Sequence, residues 1–207
     1  MVGVAVVVSL YVLCGSSLGR LASCLFELSA PLITQVACYV FGLGCATILL
    51  MIDVVLYQPK IPPNTGNIAR QCVGMHARLH LVGPLDIDLS TKAVRRAGLD
   101  YWEHLDLTVH DDPGVFLDWL GDREPWLISK FGKQPYHHAP FRTDDVIVFG
   151  NELNGLPDQW LERWPDRVVS IPMTSSIRSY NLANAMAIVL AQASCVSGLY
   201  ESEQWWV

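Results

Sequence analysis

The chain has 207 residues, 51% of them hydrophobic, and a formal net charge of −6 from 14 basic and 20 acidic side chains. That length and apolar share suit one domain with an adequate core plus a further segment. The acidic balance excludes a surface that is basic throughout, so any nucleic-acid partner must be held by a local patch.

Residues 1–50 carry only two charged side chains, Arg20 and Glu27. Val2–Cys14 is apolar but short for a membrane span, while Leu32–Ile52 reaches the roughly 20 residues that a bilayer requires. The extension reads either as a membrane anchor or as sequence upstream of a functional start at Met51, which stands immediately before the first expected strand. A secretory signal fits less well, because no basic region precedes Val2 and no clear cleavage site follows. The six cysteines form no CxxC pair, four of them fall in this extension, and Cys72 and Cys195 are isolated. That is no disulfide framework, and it fits a reducing, cytoplasmic setting.

From Met51 onward strands alternate with helices. Ile52–Tyr57 is short, apolar and rich in β-branched residues, as a buried strand is. Two prolines, Pro62 and Pro63, close it, and a helix is expected over Thr65–Val73 with Asn64 or Thr65 as its cap. Leu79–Val82 is a strand ended by Gly83-Pro84. Ser90–Ala97 is a helix ended by Gly98, Leu105–Val109 a strand, and Pro113–Leu120 a short helix with proline in its first turn. Trp126–Ser129 is a strand followed by a turn at Lys130–Lys133. Asp145–Phe149 is a strand, Pro157–Trp164 a short helix and Val168–Ile171 the last strand. Ser179–Val196 is a long helix with Leu182, Ala185, Met186, Val189, Leu190 and Ala193 on one stripe. This order predicts an α/β fold, a mostly parallel sheet with helices on both faces. Ligands of such sheets bind beyond the carboxyl ends of the strands.

Unusual residues cluster at three of those ends. At the first, Asn64, Thr65, Gly66 and Asn67 open a helix whose N–H groups favour an anion, and Arg70 follows about one and a half turns later. At the second, Gly150 and Gly155 flank Glu152 in FGNELNGLP; glycine there permits close backbone approach. At the third, Ile171-Pro172-Met173 leads to Ser179, Asn181 and Asn184, with Ser179 as the expected cap. Capping explains one such loop but not three. Cys72, His76 and His80 are spaced by four, as ligands on one helix face would be. The helix should end near Gly74 and His80 should fall in the next strand, so no metal site is assigned.

These residues carry a resemblance. Tyr57-Gln58-Pro59-Lys60-Ile61-Pro62-Pro63-Asn64-Thr65-Gly66-Asn67-Ile68-Ala69-Arg70, then Arg95–Tyr101, FGxExxGLP at Phe149–Pro157 and IPM…RSxNLxNA at Ile171–Ala185 follow in order. The chain resembles the SPOUT class of S-adenosylmethionine-dependent RNA methyltransferases over essentially all of residues 51–207, and none of 1–50. Within it, the resemblance is to tRNA 2′-O-methyltransferases of the wobble nucleotide, position 34. It implies a C-terminal trefoil knot, S-adenosyl-L-methionine as methyl donor, tRNA as partner and a homodimer with the active site at the interface. It implies Arg70, Asn64, Glu152 and Ser179 as catalytic residues. Phe149, Gly150, Glu152, Gly155, Ile171, Met173, Ser179, Asn181 and Leu182 are implied as the donor site. Arg78, Lys92, Arg95, Arg96, Tyr101, Lys130 and Lys133 are candidate RNA contacts. Asn151, Leu153, Tyr180, Ala183 and His76 depart from the usual pattern, which puts target choice in question more than reaction type. The other readings are a related methyltransferase for another tRNA position or rRNA, and a knotted RNA-binding protein without turnover.

Overall fold

The computed structural model describes residues 51–86 and 100–201. The apolar extension 1–50 and the expected helix Ser90–Ala97, with Lys92, Arg95 and Arg96, lie outside the described residues. Seven strands form one sheet: β1 (Asp53–Tyr57), β2 (Arg78–Val82), β3 (Leu107–His110), β4 (Trp126–Ile128), β5 (Gln134–Pro135), β6 (Val146–Phe149) and β7 (Val168–Ser170). Their order across the sheet is β3-β2-β1-β6-β4-β7-β5, and every pairing is parallel. Among the described residues four helices pack on it: α1 (Pro62–Gly74), α2 (Pro113–Leu120), α3 (Asp158–Arg163) and α4 (Leu182–Val196). A 3-10 turn at Asp100–His104 leads into β3.

The central strands β1, β6 and β4 are apolar apart from Asp53 because both faces are covered. Their period of two sends alternate side chains into two cores. Val54, Leu56, Leu79, Leu81, Ile147, Phe149 and Val169 meet α1 and α4 in one core. Val55, Val82, Val146, Val148, Leu127 and Val168 meet Phe116, Leu120, Trp160 and Trp164 in the other. On α4, Met186, Val189, Leu190 and Ala193 are fully buried within the chain, which makes this stripe core. Each of the larger ones contributes about 1.5–3 kcal/mol by leaving water.

Several boundaries differ from those expected, each for a local reason. Helix α1 begins at Pro62, with Ile61 at the cap position and no side-chain capping bond. Proline is pre-shaped for the first helical turn and lacks the N–H that would go unpaired there, so the pair starts the helix instead of only closing the strand. Asn64 and Thr65 are inside it, and neither is the cap. Helix α4 begins at Leu182, with Asn181 as its cap accepting from the Ala183 and Asn184 N–H groups. Ser179 therefore does not cap it. The two-residue β5 was not foreseen; Gln134 and Pro135 are too short and too polar to signal a strand. After α1, His76 adopts a left-handed φ of 47°, the conformation that glycine takes most easily.

Among the described residues one carboxylate is fully buried. Asp53, at the amino end of β1, is 0% exposed. Its carboxylate accepts from Arg78 Nε at 2.5 Å and Arg123 Nη1 at 3.3 Å, and lies 3.1 Å from His80 Nε2. His80 Nδ1 in turn meets His110 Nε2 at 3.1 Å. Burial pushes the Asp53 carboxyl up, but His80 and Arg78 outweigh it and hold it below the usual carboxylate range. Among the described residues no helix is long and apolar enough to cross a membrane.

Candidate active site

Strands β1, β6, β4 and β7 are sheet neighbours, so their carboxyl ends lie side by side. The turns that leave them enclose a cavity of about 570 Å³, within the usual range for small-molecule sites. The walls come from Ile61 and Asn64 after β1, Phe149–Leu156 after β6, Ile128–Phe131 after β4, and Ile171, Met173 and Arg178–Leu182 after β7.

Glu152 ties these turns together. Its Oε2 accepts from the Lys60 N–H at 3.0 Å, and its Oε1 accepts from the Ile61 N–H at 3.2 Å and from Asn64 Nδ2 at 2.8 Å. Asn64 Oδ1 then accepts from Asn181 Nδ2 at 2.9 Å, while Asn181 Oδ1 caps α4. One hydrogen-bonded chain thus runs from the β6 turn through the start of α1 to the start of α4. The anion expected at the first helix N-terminus is the protein's own carboxylate, which the helix dipole favours there. The Asn64 and Thr65 N–H groups turn back to the Ile61 carbonyl.

Burial raises the Glu152 carboxyl, but the bonds from Asn64, Lys60 and Ile61 more than offset it and leave it below the usual range. The sign follows: with a depressed folded pKa, its contribution is complete above the ordinary glutamate range and is lost as pH falls through the depressed value. Glu152→Ala leaves the buried Asn64 amide without its acceptor. The expected cost is about 2 kcal/mol of stability, with a roughly tenfold weaker methyl-donor affinity. Thermal unfolding and calorimetric titration check both, and in this variant the part of the acid loss due to Glu152 should disappear.

The β6 turn is built for close approach. Backbone bonds of 3.2 and 3.1 Å join Asn151 and Gly155 in both directions. A Cβ on Gly150 would lie 2.2 Å from the Gly155 carbonyl carbon, and Gly155 has φ +75°. Asn151, one of the departures from the related motif, holds the turn: its Oδ1 accepts from the Leu153 and Asn154 N–H groups at 3.0 and 2.7 Å.

All nine expected donor-site residues line this one cavity, as do Asn64 and Lys130. The lining combines the apolar Ile128, Phe149, Ile171, Met173 and Leu182 with the polar Asn64, Glu152, Ser179 and Asn181. That pairing fits a ligand with a flat base at one end and charged or hydroxylated groups at the other.

Arg70 is not among the lining residues. It lies six residues beyond Asn64 on α1, roughly 9 Å along the axis and about 120° round it. It is exposed, with its guanidinium carbon 4.8 Å from the centroid of the Tyr101 ring. Arg78 sits at the amino end of β2, the opposite end of the sheet from the cavity, where it pairs with Asp53. Tyr101 donates to the Gly66 carbonyl at 2.9 Å, so its hydroxyl is engaged with the helix. Lys133 is exposed beyond the cavity wall. Cys72 is buried in the core of α1, where burial pushes its thiol up to about 12. His80 belongs to the Asp53 cluster in the other layer, so the spacing of four brings no ligands together. Among the described residues no group of three or more His, Cys, Asp or Glu is placed to hold a metal.

Ser129, Phe131 and Arg178 are among the lining residues to which the sequence alone assigned no role. The signal for the first two was Gly132. A Cβ there would lie 2.4 Å from the Val169 carbonyl carbon, so the turn after β4 presses against β7.

A family model, the SpoU rRNA Methylase family, matches residues 51–191. The tRNA (cytidine(34)-2′-O)-methyltransferase of Methylovorus glucosotrophus is 42% identical over 144 residues, 69% of this chain and 94% of that protein. A protein solved to explain 2-OH methylation of C/U34 on tRNA is similar in fold, with TM-score 0.66 and 40% identity over 72% of this chain and 97% of its own. The SpoU methyltransferase AviRb of Streptomyces viridochromogenes, in complex with the cofactor AdoMet, has TM-score 0.60 and 27% identity over 73% of this chain and 62% of its own.

Proposed function

The chain belongs to the SpoU rRNA Methylase family, and from that premise we propose that it methylates the ribose 2′-hydroxyl of nucleotide 34 in tRNA. The single observation that carries this reading is the cavity in which the three motif turns meet, held by the Glu152–Asn64–Asn181 chain. The relatives named for that position match over nearly their whole length.

Bound S-adenosylmethionine supplies an electrophilic methyl group, so the protein's tasks are alignment, help with the hydroxyl proton and exclusion of water. Phe149, Ile171, Met173 and Leu182 present the apolar wall for the donor's base. Gly150 and Gly155 let backbone groups come close to it, Glu152 and Asn181 fix the turns that orient it, and Ser179 stands beside them on the cavity wall. Arg70 holds the phosphate beside the target ribose and stabilises negative charge that develops on the 2′-oxygen. Its guanidinium stays protonated, so it acts by charge and not as a base. Lys130, on the cavity rim, contacts RNA phosphate.

Arg70 stands apart from the cavity of its own chain, which supports a homodimer in which it serves the cavity of a second copy. The close crossing of the Gly132 turn over β7 supports the threaded C-terminal segment of the trefoil-knot fold. Residues 51–207 make up the methyltransferase domain and act in the cytosol, with 1–50 outside it. The test is incubation of the full chain with tRNA and isotopically methyl-labelled donor, then nucleoside mapping by mass spectrometry. Label on the ribose of nucleotide 34 is the expected result. Label confined to rRNA or to another tRNA position would overturn the target, and no transfer would overturn the activity.

A further inference from the structure

Arg70 is in an unusual state for the residue on which the chemistry depends. It projects from the exposed face of α1, and among the described residues no carboxylate or carbonyl pairs with its guanidinium. A long side chain in that position samples many rotamers, and fixing it costs conformational entropy at each turnover. The structure supplies one restraint. Tyr101, in the 3-10 turn before β3, places its ring 4.8 Å from the guanidinium carbon, within the distance at which the negative face of an aromatic ring attracts a cation.

The same tyrosine is held from its other end. Its hydroxyl donates to the Gly66 carbonyl at 2.9 Å. In an α-helix that carbonyl also accepts the N–H four residues on, which is Arg70's own. Ring and hydroxyl therefore span one turn of α1, from the carbonyl at its start to the side chain at its end. The ring is half-buried and packs against the core that α1 and α4 share, so it is a fixed platform and not a mobile one. Arg70 lies over one face of the ring.

We propose that Tyr101 is a positioning residue for Arg70, holding the guanidinium in its reactive direction rather than contacting RNA. This rests on the reading that Arg70 serves methyl transfer. The role explains both halves of the side chain: the aromatic face restrains the cation, and the hydroxyl sets the height of the ring along the helix.

The test compares Tyr101→Leu and Tyr101→Phe with the parent in the full chain. Single-turnover transfer at saturating tRNA and donor, the tRNA Kd, the donor Kd and the unfolding midpoint are all measured. Tyr101→Leu should slow the chemical step about tenfold with tRNA and donor Kd changed less than threefold, and Tyr101→Phe should recover most of the rate. A second readout needs no activity. Modification of Arg70 by an arginine-selective dicarbonyl, followed by peptide mass spectrometry, should be several-fold faster in Tyr101→Leu and near parental in Tyr101→Phe. A tenfold weaker tRNA Kd with an unchanged chemical step would assign Tyr101 to RNA stacking and overturn the proposal. Equal rate losses in both variants, tracking the unfolding midpoint, would reduce it to a packing role and overturn it too. If the parent itself transfers no methyl group, the functional reading fails first, and that outcome is distinct from a parent that works with an indifferent Tyr101→Leu.

Discussion

Arg70→Ala should lower methyl transfer to tRNA by about 10²–10³-fold, the range seen when one group that stabilises developing charge is removed. The fold should be untouched. Arg70 is exposed, and its described contact is a single aromatic face, so its loss opens no cavity and strands no buried partner. Donor affinity should also stay within about twofold of the parent, because the residue does not line the cavity. That separation of rate from binding distinguishes a catalytic role from a donor-binding one; radiolabel transfer and calorimetric titration measure the two sides. The homodimer reading adds a sharper outcome. Arg70→Ala mixed with a donor-site variant such as Gly155→Val should regain about a quarter of parental activity after subunit exchange, since about half the dimers are mixed and each of those holds one intact site of two. No recovery from the mixture, with exchange demonstrated by mass, would place Arg70 and the donor site in the same chain's reaction centre.

Gly132→Ala should be among the most damaging small substitutions in the described fold. The added Cβ would lie 2.4 Å from the Val169 carbonyl carbon and 2.7 Å from both the Ser170 nitrogen and the Val169 Cα. These are backbone atoms of a strand that pairs with β4 on one side and β5 on the other, so no flexible side chain can yield. Relief requires the turn to lift away from β7, which would disturb the Ser129 N–H bond of 3.0 Å to the Val169 carbonyl. The expected cost is about 3 kcal/mol, the upper end for overpacking. Because Ser129, Lys130 and Phe131 line the cavity, donor affinity should fall along with the unfolding midpoint. Gly132→Val should fail to give folded protein. A Gly132→Ala chain with parental midpoint and donor affinity would mean that the crossing is looser than the structure has it.

The strand and helix alternation was legible because it depends on local pattern. The β-branched runs at Val54–Leu56 and Val146–Val148 and the stripe on Leu182–Val196 announce their elements without reference to partners. Helix starts were less legible. At Pro62 and at Leu182, several residues in a row were chemically able to cap, and the choice among Asn64, Thr65, Ser179 and Asn181 turned on where distant groups lay. Asn64 was drawn to Glu152 and Asn181, 88 and 117 residues away in sequence. No window of sequence contains that information.

The sequence by itself determined the family, the α/β order and the identity of the three motif turns, because these follow from residue type and spacing along the chain. Only the tertiary structure decided what each polar residue is for. It sent Arg78 to the buried Asp53, left Arg70 beside Tyr101 and away from the cavity wall, and brought the Gly132 turn into that wall. The physical reason is that charge pairing, desolvation and close backbone contact act through space. Parallel strands brought together from distant parts of the chain set those distances, and the order of residues along the chain does not.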